Sequence, residues 1–203
     1  MDGVRGAIVV GALLATGACG GGPVLEGSAY RDRDLGWSIA LPPGGAAHWT
    51  RIRVEGADLA LRGSDGELLS VEVHCGGPLA PPEILARGLR IGVSDARVRE
   101  QGEVMVDGRP GWAQVFDAGA DGPGGLARDR ARGAGADPPQ GAPPAPAAPD
   151  PQPVRVKTVT RVDAHCVYDF VLAARGDWPA AEADFDAWWG SFRAPPAPAG
   201  RAK

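Results

Sequence analysis

The 203-residue chain is poor in several features that mark common protein classes. Its formal net charge is −4 and it has only two lysines, so no excess of positive charge points to nucleic acid. No apolar run reaches the roughly 20 residues that a membrane-spanning helix needs. A Gly-x-Ser-x-Gly elbow, a phosphate-binding loop and a His-Glu-x-x-His motif are all missing. These absences argue against a nucleic-acid-binding protein, a membrane-spanning protein and the enzymes that those motifs mark.

Glycine and proline, in contrast, are abundant, with 31 and 20 residues that together make about a quarter of the chain. The region 118–153 is rich in proline, alanine, glycine and glutamine and has few large apolar side chains to bury. We therefore expect it to be a disordered insertion, and the tail 194–203 to be flexible for the same reason. The sequence predicts a single α/β domain over residues 30–193, and the insertion lies within it.

The N-terminus has the pattern of an export signal. Arg5 precedes the apolar run 7–15, which has the length of a signal-peptide core. Thr16, Gly17 and Ala18 then stand directly before Cys19 and resemble a bacterial lipobox. We predict a signal peptide over residues 1–18 and lipidation of Cys19. An ordinary secretory cleavage site after the same small residues remains the alternative.

The number of cysteines favours the lipid anchor. Cys19, Cys75 and Cys166 are the three cysteines, so lipidation of Cys19 leaves an even pair for an oxidising compartment. Residues 19–29 then form a glycine-rich tether. Because Gly20 rather than aspartate follows Cys19, we expect a lipid-anchored protein of the cell envelope, at the outer membrane of a Gram-negative cell.

The remaining sequence predicts a mainly β-structure. Apolar and polar residues alternate with a period of two, separated by glycine, proline and aspartate turns. The predicted strands are 36–41, 49–54, 59–62, 69–75, 104–106, 111–116, 154–161 and 166–172. A short helix is predicted over 83–91. A second helix, over 179–192, has apolar residues every three or four positions and Asp177 as its N-cap.

Two parts of this pattern carry a family resemblance. The opening "GWSIALPPG" of residues 36–44 is followed by Trp49, and the strand ending at Leu172 is followed by a last helix with Trp188. This arrangement resembles the PsbP-like fold of PsbP and of DcrB-type bacterial lipoproteins. The resemblance implies an α+β fold, an antiparallel β-sheet flanked by helices in an α/β/α sandwich. It also implies a binding or assembly-supporting role and carries over no active site.

The neighbouring pairs His74-Cys75 and His165-Cys166 allow two interpretations. Two thiolates and two imidazoles suit a metal ion. However, adjacent residues of a strand point to opposite faces, so a histidine and the next cysteine do not easily reach one ion. Cys75 shares its face with the apolar Val71. We therefore predict a core-facing disulfide between Cys75 and Cys166, with free buried thiols and a metal site as alternatives.

Three hypotheses of function remain open, and none of them requires a cofactor. The preferred one is a non-enzymatic envelope lipoprotein that binds a protein partner or acts as a structural accessory, with Trp189 as the candidate contact. An exposed aromatic patch around Trp189 would favour it. A concave apolar pocket would favour a carrier of a small apolar ligand or metal ion. A compact cluster of His48, His74 or His165 with carboxylates would favour a hydrolase without a recognisable motif.

The anchor predicts the mass of the mature protein. Extracted from the envelope of its own host, the chain should begin at Cys19 and carry added acyl mass, because lipid is attached before cleavage. Intact mass spectrometry of the wild type and of Cys19→Ser checks this. A wild-type chain cleaved after residue 18 without acyl mass would identify an ordinary secretory signal instead.

Overall fold

The computed structural model describes residues 22–77, 79–90, 93, 96–119 and 153–195. The strands are β1 (Val24–Glu26), β2 (Ala29–Arg31), β3 (Ser38–Ala40), β4 (Trp49–Ile52), β5 (Leu59–Gly63), β6 (Leu68–Cys75), β7 (Arg97–Val106), β8 (Arg109–Ala118), β9 (Val154–Val162) and β10 (Cys166–Ala174). The helices are α1 (Gly45–His48), α2 (Pro82–Gly88) and α3 (Trp178–Gly190). None of these helices has the length and hydropathy needed to cross a bilayer.

All strands pair antiparallel, in two sheets. The large sheet has the order β4-β5-β6-β10-β9-β8-β7, and β1, β2 and β3 form a small one. The β7–β8 hairpin turns at Asp107-Gly108, where both residues adopt a positive φ, as a two-residue turn of this kind requires. The α+β fold with an antiparallel sheet is therefore confirmed.

Helices cover both faces of the large sheet. On one face, Phe185 and Trp188 of α3 pack with Phe170 of β10 in the main core. On the other face, α2 lies over β8 and β9, and Gln114 donates a hydrogen bond to the Ala86 carbonyl. Alternate residues of the same strands serve the two faces, as the period-two pattern predicts. The α/β/α arrangement follows from this alternation.

The last helix begins as the sequence predicts. The Asp177 carboxylate accepts the backbone N–H of Ala180 at 3.3 Å, and Pro179 occupies the first turn. The helix ends at Gly190, and Phe192 beyond it is fully buried against the ring of Tyr168 at 5.0 Å. This aromatic contact fixes the end of the helix on the sheet.

Several predicted boundaries are wrong. Strand β7 begins at Arg97, seven residues before its predicted start, because nearly all of its side chains are exposed and leave no apolar alternation to detect. Residues 24–29 of the predicted tether belong to the fold, since β1 pairs with β2. The tail is packed at its start, where the Ala194 N–H donates to Asp107 Oδ2 at 3.0 Å. The signal peptide, Cys19 and nearly all of the predicted insertion lie outside the described residues.

Phe192 should be a large contributor to stability. Phe192→Ala removes a ring that contacts Trp37, Tyr168 and Phe170, and we expect it to lower the free energy of unfolding by about 3 to 5 kcal/mol. Urea denaturation followed by tryptophan fluorescence measures the loss. Ile84→Ala is the control, because Ile84 is 46% exposed and should cost less than about 1 kcal/mol. Equal losses in the two variants would contradict the assigned core.

Candidate functional site

A groove of about 260 Å³ lies between the β7–β8 edge of the large sheet and helix α3. Its floor is low because Gly102 and Ala113, which pair across β7 and β8, have small side chains. Charged groups line its two sides: the carboxylates of Glu100, Glu182 and Asp186, and the ammonium group of Lys157. We call it the acidic groove. Apolar Val104, Val115 and Trp189 line it as well, so it is suited to a basic side chain with an apolar stem.

Lys157 holds the inner wall of the acidic groove in place. Its Nζ atom lies 2.8 Å from Glu182 Oε1 and 2.8 Å from Asp186 Oδ1. Burial acts to lower the pKa of Lys157, but hydrogen bonds from its ammonium to Asp186 and Glu182 outweigh burial and raise the pKa above its usual value. The ammonium group is therefore held in its charged form, and it links β9 to α3.

Trp189 forms part of the same wall. Its indole N–H donates to Asp186 Oδ1 at 2.8 Å, and its ring is partly buried against the main core. The exposed aromatic patch that would favour a protein partner is therefore not fully formed, because Trp189 is partly buried and its polar atom is already bonded. The role of Trp189 as a partner contact stays a prediction, now limited to the uncovered part of the ring.

The structure contains the predicted disulfide between Cys75 and Cys166, which are directly paired residues of β6 and β10 with Cα atoms 4.1 Å apart. Its core-facing position is wrong for Cys75, which is exposed, although Cys166 is partly covered. Both residues lie on the face that α3 covers elsewhere, but this pair stands at the end of the strands. With both thiols in the bond, the predicted alternative of a metal site on the cysteines is excluded in this structure.

Of the three histidines, only His48 lies in a compact cluster with carboxylates. Its Nδ1 atom is 2.8 Å from Ser64 Oγ. One ring nitrogen of His48 and one carboxylate oxygen each of Asp65 and Glu67 all lie within 4.8 Å of one another. These three residues could hold a divalent cation. They line none of the clefts described here, and a hydrolase would need a substrate cleft beside them. Among the described residues, His74 contacts a single carboxylate, that of Glu72, with its Nε2 atom 3.0 Å from Glu72 Oε1.

The sequence pattern did not identify Asp169 as a buried carboxyl group. Asp169 is 6% exposed, faces Glu72 directly across β6 and β10, and accepts the Thr160 hydroxyl at 2.6 Å. Burial raises its pKa, and the charge of Glu72 adds to this, whereas the Thr160 hydrogen bond and His74 act against it. Its only signal in the sequence is an aspartate inside an otherwise apolar strand.

The long antiparallel sheet with helices on both faces and an aromatic C-terminal helix defines the PsbP-like class of fold. The solution structure of cyanobacterial PsbP (CyanoP) from Synechocystis sp. PCC 6803 is similar to this chain, with a TM-score of 0.51 and 18% sequence identity. The match covers 88% of this chain and 98% of that chain. At this identity the likeness shows the fold, and it confirms the fold predicted from the sequence. No protein-family model and no curated protein matches the chain.

The raised pKa of Asp169 predicts a pH-dependent effect of Asp169→Asn. A carboxyl group whose pKa is raised on folding stabilises the protein at low pH and loses that contribution as the pH rises through the raised value. Asparagine does not ionise and still accepts the Thr160 hydroxyl. The variant should therefore gain stability over the wild type as the pH rises from about 4 to 7.

Urea denaturation at several pH values measures this difference. Asp34→Asn, a change at an exposed turn, is the control and should differ from the wild type by a constant amount. A difference for Asp169→Asn that also stays constant with pH would show that folding does not raise the pKa of this carboxyl group.

Proposed function

We propose that this chain is a non-enzymatic accessory lipoprotein of the cell envelope that binds a basic segment of a partner protein along the outer edge of β7. The lipid on Cys19 would hold the domain at the membrane, as the signal sequence indicates. The PsbP-like fold is consistent with an accessory or structural protein. The observation that carries the proposal is the edge strand itself.

Strand β7 is one of the two edge strands of the large sheet, and with ten residues it is longer than the four-residue β4 at the other edge. Among the described residues no strand pairs with its outer side, so this side presents backbone N–H and C=O groups without ladder partners. Met105 on it is 62% exposed and Val98 is 38% exposed. An extended peptide binds to such an edge by adding a strand, and main-chain hydrogen bonds supply the affinity.

The two halves of β7 differ in how open they are. A β-bulge between Val98 and Glu100, together with charged neighbours, interrupts the first half, and such features protect sheet edges from pairing. The second half, from Gln101 to Met105, pairs regularly with β8. We therefore place the added strand beside residues 101–105.

The acidic groove adjoins the same half of β7. Gly102 and Val104 of the strand line it, together with the carboxylates of Glu100, Glu182 and Asp186. A partner strand beside β7 would direct alternate side chains towards this groove, because strand side chains point to opposite faces in turn. The charge of the groove favours lysine or arginine at those positions. Trp189 at its wall offers a ring face to the same side chain.

The other two hypotheses have less support. A carrier of a small apolar ligand needs a concave apolar pocket, whereas the groove beside Trp189 combines apolar walls with the charged groups of Glu100, Lys157, Glu182 and Asp186. The cluster of His48, Asp65 and Glu67 is compact, as the hydrolase hypothesis requires, but it lies outside the clefts described here. The partner-binding function therefore accounts for more of the surface.

Photo-crosslinking in the host envelope tests the proposal. A photoreactive residue in place of Met105 should yield one discrete crosslinked product, and the same residue in place of Ile84, which is 46% exposed on α2, should not. Reversing the charge with Glu100→Arg should reduce the product at least about tenfold, because Glu100 lines the acidic groove on the same sheet face as Lys157.

Glu55→Arg, a reversal at an exposed loop position, is the matched control and should leave the product unchanged. Crosslinking that is equal at positions 84 and 105, or that survives charge reversal of the groove, would overturn the proposed interface.

A further inference from the structure

Arg161 is a buried cation in the core of this domain. Its side chain is 2% exposed and lies on β9. The guanidinium carbon is 5.2 Å from the centre of the Tyr168 ring and 5.5 Å from that of Phe192. These aromatic faces stabilise the charge in part. They accept none of the directed hydrogen bonds that a guanidinium group offers.

The hydrogen-bond donors of Arg161 are not satisfied within the described residues. Neither its Nε nor its Nη1 atom has a hydrogen-bond partner there. The nearest carboxylate belongs to Asp107, whose Oδ2 atom is 4.0 Å from Nη1, too far for a hydrogen bond. A buried charge with unmet donors is costly, and an anion that accepted hydrogen bonds from them would remove that cost.

Arg161 borders a cleft of about 320 Å³, which we call the arginine cleft. Arg109, His165, Cys166 and Tyr168 also line it. It shares no lining residue with the acidic groove. The arginine cleft thus offers a second cation, Arg109, which is exposed on the β7–β8 hairpin and near enough for its charge to lower the pKa of Arg161.

Asp163 and Tyr168, which also line the cleft, do not supply an anion that accepts hydrogen bonds from Arg161. The Asp163 carboxylate already accepts the backbone N–H groups of His165 and Cys166, each at 2.9 Å, through Oδ1. Burial and the neighbouring Asp163 raise the pKa of Tyr168, so its hydroxyl stays neutral at physiological pH. Burial lowers the pKa of Arg161, yet a guanidinium group remains protonated in proteins.

We propose that the arginine cleft binds the carboxylate group of a small organic acid or of a peptide C-terminus, with Arg161 as the inner donor and Arg109 at the entrance. The planar guanidinium group matches a carboxylate in shape and hydrogen bonding. Asp107 and Asp163 also line the cleft and offset its two arginines. This balance favours a singly charged anion over a phosphate dianion.

NMR titration of the full, bridged chain with sodium acetate tests the site. The Nε–Hε signal of Arg161 and the amide signals of Ala164 and His165 should shift and saturate, with a Kd of about 1 mM or tighter. Sodium chloride at equal ionic strength should not reproduce these shifts. A short peptide with a free C-terminus and its amidated form distinguish a peptide from a free acid as the source.

Variants assign the binding to the two arginines. Arg161→Gln should abolish saturation, and Arg109→Gln, which changes an exposed side chain, should weaken binding by about three- to tenfold. Arg62→Gln, exposed on β5, is the matched control and should bind acetate as the wild type does. If Arg161→Gln does not fold, Arg109→Gln still decides.

Three results would overturn the proposal. One is a shift that grows linearly and equally with acetate and chloride, which would make Arg161 a structural cation only. Another is saturation that Arg109→Gln leaves unchanged. The third is tighter binding of inorganic phosphate than of acetate, which would assign the cleft to a different anion. None of these results bears on the edge of β7, so the proposed function is tested separately.

Discussion

The structure depends on the packing of a cluster of aromatic side chains against the centre of the large sheet. Phe185 and Trp188 of α3, with Phe192 after it, cover Phe170 of β10 and close the main core. Strand β10 is central because it pairs with both β6 and β9. The burial of these large rings is the main source of stability on this face. It also sets where α3 lies, and so which parts of the sheet remain uncovered.

The parts of the sheet that α3 leaves uncovered carry the charged side chains that line the two clefts. Helix α3 covers the middle of the sheet and leaves the β7 edge bare, so that Lys157 of β9 and Trp189 of α3 meet a groove rather than a packed interface. At the other end of the same strands, Arg161 is enclosed by rings but borders a second cleft. Two charged clefts thus flank one aromatic core: carboxylates outnumber cations in the acidic groove, whereas two arginines and two aspartates line the arginine cleft. The acidic one adjoins a free strand edge, and the arginine one adjoins the Cys75–Cys166 bridge.

Most strands were predictable because one or both of their faces are apolar. The pattern failed for β7, whose first half carries mainly exposed charges and whose identity depends on pairing with β8. The disulfide was predictable from the count and strand phase of the cysteines, but its exposure was not, because strand phase assigns a face and says nothing about what covers it. Asp169 and Arg161 were missed for the same reason: burial of a polar residue depends on neighbours that are distant in the chain.

The sequence by itself determined the α+β class, the register-forming alternation, the turn at Asp107-Gly108 and the cap of α3 by Asp177, since each follows from residues close together in the chain. Only the tertiary structure decided which side chains share a cleft. Lys157 contacts Glu182, and Arg161 contacts Phe192, although the partners stand 25 and 31 positions apart in the chain. Such contacts arise because packing of α3 on the sheet brings distant residues together, and no local pattern records that geometry.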